Sequence, residues 1–195
     1  MIKQIFAGSI IFITSNILKA ESPSLDYIEM GYTQSEILLL NPDGFEFKVS
    51  KELSESYYLT GKYTDITAEN YFSTSKSIGL GYKFNFGDST SLFAELDITK
   101  IKVDASSVIS PSNIHYNDVD EYQFNVITGM RRNFSKNTEL VFAAKFDGIW
   151  ERYDSLIVGA NYRISDKLKI YGNFELDSGF SSGNSQYSIG LRYSF

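Results

Sequence analysis

The chain has a single histidine, His115, in the stretch Asn113-Ile114-His115-Tyr116-Asn117-Asp118. A histidine within reach of a carboxylate is the least that general acid–base chemistry requires. Here Asp118 is the only acid in the stretch, and a hydrolytic site would need more converging groups than it offers. His115 therefore reads as a solvated loop residue. Two further pairs, Glu95/Asp97 and Glu175/Asp177, place carboxylates at i and i+2. On a strand that spacing puts both on one face, as acid–base catalysis or a Ca²⁺ site would want. Salt-bridge partnership with luminal basic residues is the better reading of both pairs. Gly79-Leu80-Gly81 lacks the strand–loop–helix setting of a phosphate loop. With no cysteine, thiolate metal sites and disulfides are excluded. No catalytic residue, metal ligand or cofactor is expected, and the chain does not read as an enzyme.

The elements that carry these residues are strands. The last ten residues, Gln186 to Phe195, alternate without a break. Tyr187, Ile189, Leu191, Tyr193 and Phe195 take one face; Gln186, Ser188, Gly190, Arg192 and Ser194 take the other. A period of two marks a strand between two different environments. Ten such segments follow one another, near 26–37, 44–53, 57–66, 76–86, 91–103, 120–132, 138–149, 155–164, 168–177 and 186–195. Short turns at Ser54–Ser56, Gly87–Thr90, Asn133–Asn137 and Ser165–Lys167 alternate with longer connections near 38–43, 67–75, 104–119, 150–154 and 178–185. Short turns at one rim and long loops at the other describe an up-and-down barrel. Eight strands is the alternative count, if 26–37 or 155–164 is misassigned. Ser77–Phe84 matches Ser188–Phe195 at six of eight positions, so those strands occupy equivalent environments.

Residues 1–20 differ from the rest. Lys3 precedes a mostly apolar run from Ile5 to Leu18, and Ala20 is a plausible cleavage residue. This is the pattern of a secretory signal peptide, leaving 21–195 as one barrel domain. The 18 basic residues less Lys3 and Lys19 leave 16, against 24 acidic, a net of −8. Such a chain does not suit nucleic acid. The later sequence has no apolar run of 18 residues, so any membrane crossing must be made by strands.

Alternation alone does not say which face is outside. A soluble lipid-binding barrel turns its apolar face inward; a transmembrane barrel turns it outward. Aromatics gather at strand ends, with Phe84, Phe86, Phe134, Tyr162, Tyr193 and Phe195 at the turn rim. Tyr32, Phe45, Tyr63, Tyr122, Phe146 and Tyr187 gather at the loop rim. Two belts belong at two lipid–water interfaces. The opposite face carries Glu29, Glu46, Glu95, Asp97, Asp147, Glu175 and Asp177 against Lys48, Lys62, Lys83, Arg131, Lys145, Arg163 and Arg192. Seven acids and seven bases suit a charge-paired lumen, with Glu52, Glu121, Glu139 and Lys169 at strand ends. The expected fold is all-β, a closed antiparallel transmembrane barrel.

Together, leader, alternation, turn asymmetry and the terminal Tyr193-Ser194-Phe195 resemble the small outer-membrane β-barrel proteins of Gram-negative bacteria. The resemblance covers the whole mature chain but is architectural. It implies a place in the outer membrane with periplasmic termini, contact with lipid and lipopolysaccharide, and a monomer. It also implies recognition of the aromatic end by the barrel-assembly machinery, after escort by periplasmic chaperones. The expected role is non-enzymatic: envelope structure or surface interaction through loops. A narrow porin-like channel is the alternative, and a soluble lipid-binding barrel a third reading. The apolar run Ile37-Leu38-Leu39-Leu40 either extends the first strand into lipid or offers a knob to a partner.

Overall fold

The computed structural model describes residues 23–37, 40–69, 71–104, 118–147, 153–177 and 185–195. Residues 1–20, expected as a leader, His115, Leu38 and Leu39 lie outside the described residues. Ten strands follow in chain order: β1 Tyr27–Glu36, β2 Asp43–Glu52, β3 Tyr57–Ala68, β4 Tyr71–Phe86 and β5 Thr90–Asp104. Then come β6 Val119–Asn133, β7 Thr138–Asp147, β8 Tyr153–Arg163, β9 Leu168–Asp177 and β10 Ser185–Ser194. Each pairs antiparallel with its sequence neighbours, and β1 pairs with β10 to close the sheet. Ten strands, not eight, make the barrel. Closure gives every strand a hydrogen-bonded neighbour on both sides, as lipid requires.

The two faces are sharply different. Met30, Ile78, Leu96 and Ile189 point outward and are 57–66% exposed, whereas Glu29, Glu95, Asp97, Arg131 and Arg192 point inward and are 3–7% exposed. A soluble lipid-binding barrel needs the opposite arrangement. An exterior this apolar faces lipid, so the fold is a transmembrane barrel.

Three of the four turn-rim hairpins share one device. Leu53-Ser54-Glu55-Ser56, Phe134-Ser135-Lys136-Asn137 and Ile164-Ser165-Asp166-Lys167 each place serine second. The Oγ of Ser54, Ser135 and Ser165 accepts the amide of Tyr57, Thr138 and Leu168 at 3.1, 3.1 and 3.2 Å. Serine thereby supplies the acceptor that a tight turn otherwise lacks. The fourth turn uses Gly87 at φ +70°, a left-handed conformation glycine adopts without strain.

The loop rim departs from expectation at one connection. The nine-residue loop near 67–75 is instead strand: β3 continues to Ala68 and β4 starts at Tyr71. Ser73, Thr74, Ser75 and Ser77 have loop-like composition, but ladders with β3 and β5 hold them on both sides. As a result β4, β5 and β6 run 16, 15 and 15 residues against 10 for β1 and β2. Ile37 and Leu40 neither reach into lipid nor form a knob. They pack with Ala68 and Val103 against Ile66 and Tyr71.

Candidate functional site

The lumen is built in layers, beginning at the turn rim. β1 carries Tyr27 and Glu29 inward, β6 Arg131, β7 Glu139, β9 Lys169 and β10 Arg192. Register places Glu29 directly opposite Arg192, and the guanidinium binds the carboxylate at 2.6 Å through Nε and 2.5 Å through Nη2. Glu139, 2% exposed, is the hub. It meets Arg131 at 3.2 Å, Arg192 at 3.4 Å and Lys169 at 3.1 Å. Arg131 also donates to the Tyr27 hydroxyl at 3.0 Å. Over the Tyr27 ring lie the Arg192 guanidinium at 4.1 Å and that of Arg131 at 5.3 Å, near enough for cation–π attraction. Leu25, Tyr27 and Tyr58 are each at most 2% exposed and pack with Phe93. This apolar cluster and the ion network fill the turn-rim end of the lumen.

The segment ahead of β1 locks this plug in place. Leu25 donates its amide to Glu52 at 2.7 Å, and Glu52 also takes the Lys83 ammonium at 2.7 Å. Asp26 accepts the Glu52 amide at 2.6 Å and pairs with Lys51 at 2.9 Å. Burial opposes the charge on Asp26, yet these bonds and the nearby Lys51 and Lys83 charges hold its carboxyl below the ordinary carboxylate range. The Phe195 amide reaches the Asp26 carbonyl at 3.4 Å, and Lys51 lies 4.9 Å over the Phe195 ring. The two described ends of the chain therefore meet at the turn rim.

A cavity of about 110 Å³ lies against the plug, walled in part by Leu25, Tyr27, Tyr58, Phe93, Arg131 and Arg192, and one of about 340 Å³ lies toward the loop rim. They share Lys48, Lys62, Glu95 and Glu175 in their walls. Lys62 pairs with Glu46 at 3.2 Å, and Glu46 accepts the Tyr171 hydroxyl at 3.0 Å. Lys145 lies 3.6 Å from Glu175, which also accepts from Ser155 at 2.7 Å. The upper wall carries Glu36, Glu95, Asp97, Glu175 and Asp177 against Lys48, Lys62 and Lys145.

Pairing is less complete than the matched charge count implies. Glu95 accepts from Thr60 at 2.7 Å, and Asp97 from Asn125 at 2.6 Å and Thr99 at 2.9 Å. Among the described residues no cation stands within 4.0 Å of either. Their cross-strand neighbours explain this: Gly81 and Ile127 flank Glu95, and Gly79 and Asn125 flank Asp97. Lys48 also has no ion pair among the described residues. It stands opposite Glu29, but Arg192 holds that carboxylate from the other side. Arg163 is on the luminal register but exposed at the turn rim. Asp177 lines the upper cavity, and Asp147 ends β7, with its side chain outside the described residues.

Glu139, Glu52 and Lys169 hold central places that strand-end positions do not suggest. Inward parity along β7, shared with Val141 and Ala143, was the available signal. Tyr27, Tyr58 and Tyr171 also line the interior, though aromatics elsewhere belong to the outer belts. The terminal-strand residues Tyr187, Ile189, Leu191, Tyr193 and Phe195 all point outward. Carboxylates, hydroxyls and ammonium groups therefore converge in the lumen without a nucleophile–base pair among the described residues.

No protein-family model matches the chain, and no curated protein matches it. Solved structures similar to it include the KdgM porin in complex with disordered oligogalacturonate, at 11% identity. That match covers 86% of this chain and 99% of that one, with a TM-score of 0.47. The translocator domain of autotransporter NalP from Neisseria meningitidis matches at 11% identity over 89% and 90% of the two chains, TM-score 0.48. Ail, the attachment invasion locus protein of Yersinia pestis, matches at 16% identity over 87% and 97%, TM-score 0.40. None of these likenesses assigns a role to a residue of this chain.

Proposed function

We propose that this chain is a non-enzymatic β-barrel of the bacterial outer membrane whose lumen is occluded. It serves envelope structure or surface interaction through the loops that join its strands at the loop rim. The observation that carries this reading is the filled turn-rim end of the lumen. There Leu25, Tyr27 and Tyr58 pack with Phe93 beside the Arg131–Glu139–Arg192 network. A solute would have to separate paired, desolvated charges to pass, and breaking a buried pair costs several kcal/mol. Purified protein in planar lipid bilayers is expected to give no reproducible conductance steps. Clear steps would overturn the occluded lumen in favour of the narrow channel.

In this reading residues 1–20 are a removed leader and both mature termini are periplasmic, since Pro23–Asp26 and Phe195 lie together at the turn rim. The outward face of β10 (Tyr187, Ile189, Leu191, Tyr193 and Phe195) is the assembly signal, presented to the barrel-assembly machinery after periplasmic chaperones deliver the chain. Deleting Phe195 is expected to lower the inserted fraction severalfold, scored by heat-modifiable migration of the membrane fraction. Lys51→Gln removes the cation over that ring and keeps the aromatic end, so it inserts normally. Equal insertion of the deletion variant would remove the signal role. The mature protein is expected to be a monomer.

A further inference from the structure

The outer face changes character where β4, β5 and β6 rise above the apolar band. One cross-strand row runs Tyr63 of β3, Lys76 of β4, Lys100 of β5 and Tyr122 of β6, each directly opposite the next. The neighbouring row toward the turn rim is Gly61, Ile78, Ile98 and Phe124. From Phe86 to Lys76 is ten residues, which at about 3.3 Å each and a tilt near 40° rises about 25 Å, the height of the apolar band. Lys76 and Lys100 therefore lie at the far lipid–water boundary.

Like charges directly opposite each other in an antiparallel pair repel. Lys76 has no carboxylate within 4.0 Å among the described residues, and Lys100 shares the exposed Asp120 at 3.1 Å. Snorkelling accounts for one lysine at a boundary, but not for two placed face to face. Each ammonium also lies over a tyrosine ring: Lys76 at 5.6 Å from Tyr63, Lys100 at 5.3 Å from Tyr122. The rings hold both cations on the outer face, and of the two only Lys100 has a carboxylate within 4.0 Å among the described residues. At this height the anions of a membrane are lipid phosphates.

We propose that Lys76 and Lys100, flanked by Tyr63 and Tyr122, bind the phosphate of a phosphorylated lipid in the leaflet at the loop rim. The proposal rests on the outer-membrane reading above and names a lipid partner for its outer face. The lysines supply charge, and the tyrosines fix their direction and interact with the glycolipid or glycerol region beside the phosphate.

Full-length protein in mixed micelles doped with diphosphorylated lipid A is the test, with retained lipid counted by native mass spectrometry. Wild type is expected to retain the lipid, and K76Q/K100Q to retain about twenty-fivefold less, at about fivefold per lysine. Asp120→Asn releases Lys100 from the one carboxylate within 4.0 Å among the described residues and is expected to raise retention, which a purely structural pair would not do. Lys51→Gln, at the opposite rim, should leave retention unchanged. Equal retention by the double variant, or equal retention of lipid A stripped of its phosphates, would overturn the site. Heat-modifiable migration is scored on the same samples. A chain that lacks the shift fails the barrel reading and this site with it; a shifted chain indifferent to phosphate fails only this site.

Discussion

Glu139→Gln is expected to cost the barrel about 3–5 kcal/mol, the range for removing one partner from a buried ion pair. Glu139 is 2% exposed and holds Arg131, Arg192 and Lys169 at 3.1–3.4 Å. With its charge gone, Glu29 alone would face three buried cations, and it already binds Arg192 through two nitrogens. The measurement is the urea midpoint of the folded, heat-modifiable form in lipid vesicles. Adding Lys169→Met to Glu139→Gln removes one of the stranded cations and should recover part of the loss. A midpoint unchanged in Glu139→Gln would show that the network is solvated and does not hold the plug.

The second large effect is steric. Tyr58 lies flat over Gly81: a Cβ built there would meet the ring at 2.0 Å from Cζ, with Cε1 and Cε2 at 2.4 and 2.5 Å. No atom pair tolerates such an approach, so Gly81→Ala must push the ring off its seat. Tyr58 is 2% exposed and packs in a cluster with Leu25 and Tyr27. Overpacking of this kind costs about 1–3 kcal/mol. It should also open the plug, so that the variant shows bilayer conductance where wild type shows none. Tyr58→Ala empties the same space. In G81A/Y58A the clash is gone, so the double variant should lose less stability than the sum of the single ones. Strict additivity would mean that the ring does not rest on the glycine.

Much of the architecture was legible because it is local. Alternation at period two depends only on successive residues facing opposite ways. Ten segments, eight of their nine connections and the polar face that carries Arg192 follow from it. The connection that failed, 67–75, failed because Ser73, Ser75 and Ser77 line an interior of hydroxyls, where small polar residues do not mark a loop. Lys100 shares the outward parity of Leu96 and Ile98 although it is charged. The strand rises out of the apolar band, so Lys100 remains outward where lipid gives way to water.

The luminal contacts obey a different geometry. Glu29 and Arg192 are cross-strand neighbours, but they are 163 residues apart in sequence and meet only because β1 closes on β10. Glu139 of β7 and Arg192 of β10 are not on adjacent strands at all, and meet across the enclosed space. The sequence by itself determined alternating segments with one apolar and one polar face, because side-chain direction on a strand is set by parity. Only the tertiary structure decided that Glu139 joins three cations, that Glu95 and Asp97 take neutral partners, and that Tyr27 lies beneath two guanidinium groups. Those outcomes depend on the barrel's radius and on which long side chains reach across it, and no local spacing encodes either.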